Sequence, residues 1–135
     1  MDEIYLIPQD LIHQIITHLQ ANLPEEACGL LAGKDHTFQT WIPINNILRS
    51  PTRYRMDAEQ QLKAFLEFEQ NQQDLMGIVH SHPSGPQVPS ETDIREAFYP
   101  EAIYFIFFQV NEQWDYKAYC INQKQTKEVK IQVLK

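Results

Sequence analysis

Apolar residues recur along this chain with two periods, and the switches between them outline its elements. Leu11, Ile12, Ile15, Ile16, Leu19 and Leu23 follow helical spacing. This predicts a helix that starts around Pro8 and Asp10, buries one face and is ended by Pro24. A short strand, Ile4 to Leu6, precedes it. Glu26 to Ala32 reads as a buried strand, Gly33-Lys34-Asp35-His36 as a turn and Thr37 to Ile42 as the returning strand of a β-hairpin. Pro43 to Arg55, with Asn45-Asn46 and Ser50-Pro51, has the composition of a long surface loop. A second helix is expected from Asp57, with Gln60 three residues on in a capping-box arrangement. Its buried stripe is read as Leu62, Phe65, Leu66 and Phe68, and Asn71-Gln72-Gln73 closes it.

The second half is strand-like. Leu75-Met76-Gly77-Ile78-Val79 is an apolar run suited to a strand covered on both faces. Pro83 to Pro89 is rich in Pro and Gly and cannot be sheet or helix interior. A short helix is expected from Ser90 to about Phe98, stopped by Pro100. Ile103 to Phe108 is a candidate central strand, and Asn111-Glu112 a turn. Trp114, Tyr116, Ala118 and Cys120 then alternate with polar residues, and Val129, Ile131 and Val133 mark a last strand with one wet face. Helices interspersed among strands, with no internal repeat or linker, predict one α/β domain over residues 1–135, a mixed sheet with helices packed on it.

Composition narrows the function classes. The 135 residues carry a formal charge of −7, which argues against a phosphate-binding surface and so against nucleic acid as partner. Met1-Asp2-Glu3-Ile4 lacks the basic and apolar regions of a signal peptide, and no apolar run approaches the roughly 20 residues needed to span a bilayer. A soluble cytoplasmic protein that engages no membrane is expected. Cys28 and Cys120 are too few for a disulfide framework and are expected reduced and packed in apolar strands.

Candidate chemistry gathers where the central apolar run ends. Side chains two apart on a strand share a face, so His80 and His82 should project together. Asp93 follows one turn into the next helix. Two imidazole nitrogens and a carboxylate make a three-ligand set for Zn²⁺ that leaves a fourth tetrahedral position for water. The same residues support a plainer reading, since Ser90-Glu91-Thr92-Asp93 is also a helix N-terminus with a capping serine and acidic first turn. Of the other histidines, His13 and His18 are five apart and belong to the surface or boundary of the first helix, and His36 sits at a turn tip.

His80-Ser81-His82, seven residues, Ser90, two residues and Asp93 reproduce the full motif of the JAMM/MPN+ metalloproteases, also called the JAB or Mov34/MPN/PAD-1 family, which this chain resembles over nearly its whole length. That family has a glutamate upstream in an E-x-C-G context, and Glu26-Ala27-Cys28-Gly29 supplies it. The resemblance implies a cytidine-deaminase-like α/β fold. It also implies a catalytic zinc held by His80, His82 and Asp93, with Glu26 as the acid-base group and no further cofactor-binding residue.

In such a site zinc lowers the pKa of water towards about 7. Glu26 would move the proton to the leaving amine, and Ser90 would donate to the oxyanion while still accepting as a cap. Glu25 is expected solvated, Ser81 structural, and Cys28 packing rather than ligand. Short prokaryotic members imply as partner a ubiquitin-like protein, a sulfur carrier whose C-terminal tail is cleaved. Such a tail would be laid along a strand edge, with the 43–55 loop bordering the groove. Two other readings compete: an MPN scaffold of the kind that lacks the ligands, against which all five residues stand, and a RadC-like protein, similar in its His-rich motif and tied to DNA repair, against which the acidic balance stands. The sequence does not fix the oligomeric state.

Overall fold

In a computed structural model describing residues 3–135, the order is β1 (Ile4–Pro8), α1 (Gln9–Ala21), β2 (Cys28–Lys34), β3 (Thr37–Ile44), α2 (Ala58–Gln70), β4 (Asp74–His82), α3 (Glu91–Arg95), β5 (Ile103–Val110), β6 (Gln113–Asn122) and β7 (Gln125–Leu134). The signal-peptide reading of the first residues rests partly on Met1 and Asp2, which lie outside the described residues. The strands run in the order β1-β3-β2-β4-β5-β6-β7 and close on themselves through a parallel β7–β1 pairing. The sheet is mixed: β4 pairs β2 antiparallel and β5 parallel. No helix among the described residues is long and apolar enough to cross a membrane.

Three hairpins are joined by two-residue turns in which both residues have positive φ: Asp35-His36, Asn111-Glu112 and Gln123-Lys124. That pairing of conformations matches the twist of adjoining strands. Gln123-Lys124 carries none of the residues that announce such a turn, so β7 begins at Gln125, well before the Val129 from which sequence alternation marks it.

Strand parity divides the core in two. Val79, Phe105 and Phe107 point to the side packed by Leu11, Ile15 and Leu19 of α1. Ile78, Tyr104, Ile106 and Phe108 point to the other side, where Ala64 and Phe68 of α2 pack. The expected coverage of the central run on both faces is met, and His80 and His82 share the parity of Ile78.

Several boundaries differ from expectation for identifiable reasons. On α2, Leu62 is 58% and Leu66 50% exposed, while Ala64 and Phe68 are buried. Two residues turn a helix by about 200°, so the large leucines lie nearly opposite the small Ala64 that lets α2 approach the sheet. Asp57 caps α2 by accepting from Gln60 N, but Gln60 Oε1 accepts from Asn45 N instead of completing a capping box. α3 ends at Arg95 rather than Phe98, since no residue of it is buried and nothing extends it past its cap. β2 begins at Cys28, two residues after Glu26, because Glu26 N–H donates to Ser50 O and Ala27 N–H to Ser81 Oγ, outside the ladder.

Candidate metal centre

β4 delivers both histidines to one point because its neighbours hold it to its last residue: Cys28 of β2 faces His80, and Ile106 and Phe108 of β5 face His80 and His82. The rings are buried, His80 1% and His82 4% exposed. Their Nε2 atoms are 3.0 Å apart, and Asp93 Oδ2 lies 3.1 Å from the first and 3.0 Å from the second. The plain reading of Asp93 as a helix-start residue holds as well. Ser90 N–H donates to Asp93 Oδ2 at 2.9 Å and Asp93 N–H donates to Ser90 Oγ at 3.0 Å, a reciprocal capping box. Cap and histidines thus meet on one carboxylate oxygen.

The Pro/Gly loop orients His82. Its Nδ1–H donates to Pro86 O at 2.8 Å, leaving Nε2 with its lone pair. Tyr119 Oη pins that loop by donating to Gln87 O at 3.0 Å. His80 Nδ1 is buried with no hydrogen-bond partner among the described residues, and its ring is stacked on Tyr54, centroids 4.5 Å apart.

Glu26 reaches the same place from the segment before β2. It is 4% exposed, its Oε1 has no hydrogen-bond partner among the described residues, and ligand atoms of Glu26, His80 and His82 lie within 4.8 Å of one another. Burial pushes its carboxyl up to about 8, against a lowering by nearby His82 and a further raising by Asp93. Burial also raises Asp93, but its contacts with the two imidazoles and the Ser90 N–H prevail and hold it well below the carboxylate range. Burial lowers His80 on balance despite Asp93. For His82 burial is outweighed by Asp93, the Pro86 carbonyl and Glu26, and it is raised.

The donor set fits a divalent cation. A tetrahedral ion with ligand bonds of about 2.1 Å separates its ligands by about 3.4 Å, close to the 3.0–3.1 Å found between the three atoms. A buried carboxyl oxygen without a partner beside them is the kind of orphan that such a centre, with its water, satisfies.

The remaining sequence candidates fall as follows. Ser81 points away from the centre and bonds Ala27. Cys28 is a buried free thiol, pushed up to about 12 by burial and by Glu26, and its Sγ donates to Ile44 O. Cys120 is also free. Glu25 is half-exposed and His13 exposed. His18 is half-buried, its Nε2 3.0 Å from Cys28 O, and His36 stacks on Tyr5. Sequence reasoning missed Tyr54 and Asn46, which the 45–57 loop brings to the site; the signal was one aromatic between two arginines in a polar loop.

The model of a family described as prokaryotic homologs of the JAB domain matches residues 8–120. The CysO-cysteine peptidase of Mycobacterium tuberculosis is 36% identical over 105 residues, 76% of this chain and 72% of that protein. The desampylase of Pyrococcus furiosus is 36% identical over 129 residues, 95% of this chain and 89% of that protein. The solution structure of a Desulfitobacterium hafniense protein superposes with a TM-score of 0.87 at 30% identity, covering 98% of this chain and 94% of that one. A JAB1/MPN domain protein of Archaeoglobus fulgidus shares the fold, with a TM-score of 0.65 at 21% identity, covering 96% and 97%.

Proposed function

Because this chain belongs to the prokaryotic homologs of the JAB domain, a JAMM-type peptidase, we propose that it is a zinc enzyme that cleaves peptide or isopeptide bonds at the C-terminal tail of a ubiquitin-like sulfur carrier. We read its 135 residues as one domain at work in the cytoplasm, where Cys28 and Cys120 stay free. The substrate class rests on relatives whose names specify CysO-cysteine and desampylation. The −7 charge of this chain argues against a nucleic-acid partner.

His80, His82 and Asp93 would hold the metal, their two nitrogens and one oxygen suiting zinc. When bound, zinc supplies Lewis acidity, making water acidic near neutral pH and polarising the scissile carbonyl. Glu26 takes the proton of the attacking water and returns it to the leaving amine, so that water and the amide become a carboxylate and an amine. Without metal, burial raises that carboxyl to about 8; a divalent cation beside it would favour the ionised form that accepts a proton. Ser90 accepts Asp93 N–H through Oγ, which leaves its O–H to donate to the oxyanion as the carbonyl is attacked.

The observation that carries this reading is the convergence of Glu26, from the segment before β2, with both histidines of β4. The test is to incubate the zinc-loaded protein with carrier conjugates and weigh the products by mass spectrometry. Wild type should release the carrier's free tail, and Glu26→Gln should keep metal but lose turnover. Equal rates for the two would refute the role given to Glu26, and no cleavage of any carrier conjugate would refute the substrate class.

A further inference from the structure

The two imidazoles of the centre are oriented by different means. For His82, the bond from Nδ1 to Pro86 O fixes the ring's rotation and the position of its proton. For His80, Nδ1 has no such bond among the described residues. Its ring lies nearly parallel to Tyr54, the planes inclined by 23°, and the His82 ring meets it edge-on with centroids 4.8 Å apart. Beyond the contacts of its Nε2 at the centre, what restrains the His80 ring is contact with flat surfaces.

Tyr54 is itself held by one side chain. Asn46 Nδ2 donates to Arg53 O at 3.0 Å, and its Oδ1 accepts from Arg55 N at 3.0 Å, so the peptide groups on both sides of Tyr54 are fixed by the same amide. Asn46 also donates to Glu26 O at 2.9 Å and accepts from Leu48 N at 3.0 Å, which uses both donors and both lone pairs of the amide. An isolated bridge between Asn46 and Met56 closes the loop behind Tyr54. Glu26 N–H donates to Ser50 O of this loop. One loop therefore grips the backbone of Glu26 and lays a ring on His80.

We propose that Tyr54, held by Asn46, is the positioning residue of His80, the face of its ring replacing the orienting hydrogen bond that Nδ1 lacks. The inference rests on the metal-centre reading above. It requires the flat face of residue 54 and not its hydroxyl, and it makes Asn46 matter to metal binding although Asn46 is not a ligand.

The test uses the metal-free full chain titrated with Zn²⁺ or Co²⁺ alone. Removing a group that orients a metal ligand typically weakens affinity by about 10–100-fold. Tyr54→Leu should lose about tenfold or more and change the visible absorption of bound Co²⁺. Tyr54→Phe should restore both, and Asn46→Ala should lose affinity with Tyr54→Leu. In the unsubstituted protein the carbon-bound ring protons of His80 should show upfield ring-current shifts in NMR, a readout that stands even where Tyr54→Leu does not fold. Wild-type affinity in Tyr54→Leu, equal losses in Tyr54→Phe and Tyr54→Leu, or unshifted His80 protons would each overturn the proposal. Carrier cleavage plays no part in these measurements. A protein whose metal affinity depends on Tyr54 yet cleaves no carrier refutes the proposed substrate alone, and a cleaving protein indifferent to Tyr54→Leu refutes the role of Tyr54 alone.

Discussion

Ser81 and Ala27 are joined by two hydrogen bonds: Ser81 N–H donates to Ala27 O at 2.9 Å, and Ser81 Oγ accepts Ala27 N–H at 2.8 Å. The residue between the two histidines thereby fastens the residue next to Glu26. Ser81→Ala keeps the first bond and leaves a buried N–H unpaired, at a cost of about 1–3 kcal/mol. Urea denaturation should show that loss, and kcat should fall by more than KM changes, since Glu26 is displaced while the metal ligands stay in place.

Asp93 serves a helix cap and two imidazoles through one oxygen. Asp93→Asn keeps an acceptor for the cap and removes the charge. Zinc affinity should fall by more than tenfold, and in the metal-free protein His82, which Asp93 helps to raise, should titrate at lower pH than in wild type. Metal titration and NMR of the His82 ring check the two parts separately.

Glu26 gives the metal-free protein a particular pH dependence. Its carboxyl is raised in the folded chain from 4.5 to about 8, so the folded state keeps a proton that the unfolded state releases between those values. Its contribution to stability is present below 4.5, falls as pH rises, and is gone above about 8. Denaturation midpoints of chelated protein across this range should decline in wild type, and Glu26→Gln should remove that component of the decline.

Gly29 of the E-x-C-G motif has a packing reason for having no side chain: a Cβ there would run into the Trp41 ring and stand 2.8 Å from Ile42 O. Gly29→Ala should destabilise by about 1–3 kcal/mol, as overpacking of a filled core does. Thermal melting checks it, and unchanged stability would mean that Trp41 can move aside without loss.

The site was more legible in the sequence than the surfaces around it. His80 and His82 could be read because strand parity is rigid: residues two apart share a face wherever the strand sits. Glu26 needed the resemblance, since nothing local says that a glutamate before β2 meets the end of β4. Tyr54 was not legible because a hydrogen-bonded loop, and no periodic pattern, carries it. On α2, counting large apolar residues found Phe65 and Phe68 but wrongly added Leu62 and Leu66, as Ala64 faces the sheet without looking hydrophobic enough to mark it. The outward leucines give a direct check: Leu66→Gln should change stability by no more than about 0.5 kcal/mol, whereas filling position 64 with Leu should be clearly destabilising in urea melts.

The stave that completes the ring is the first one made. β1 lies beside β7 along Ile4 to Pro8 and touches β3 through Leu6 and Thr37, with Ile7 wholly enclosed. Cutting it away would strip one flank of β7 of its backbone partners and open the apolar interior at a seam that β4 does not adjoin. A shortened chain of that kind would lose solubility before it lost its chemistry, because bare strand margins recruit one another.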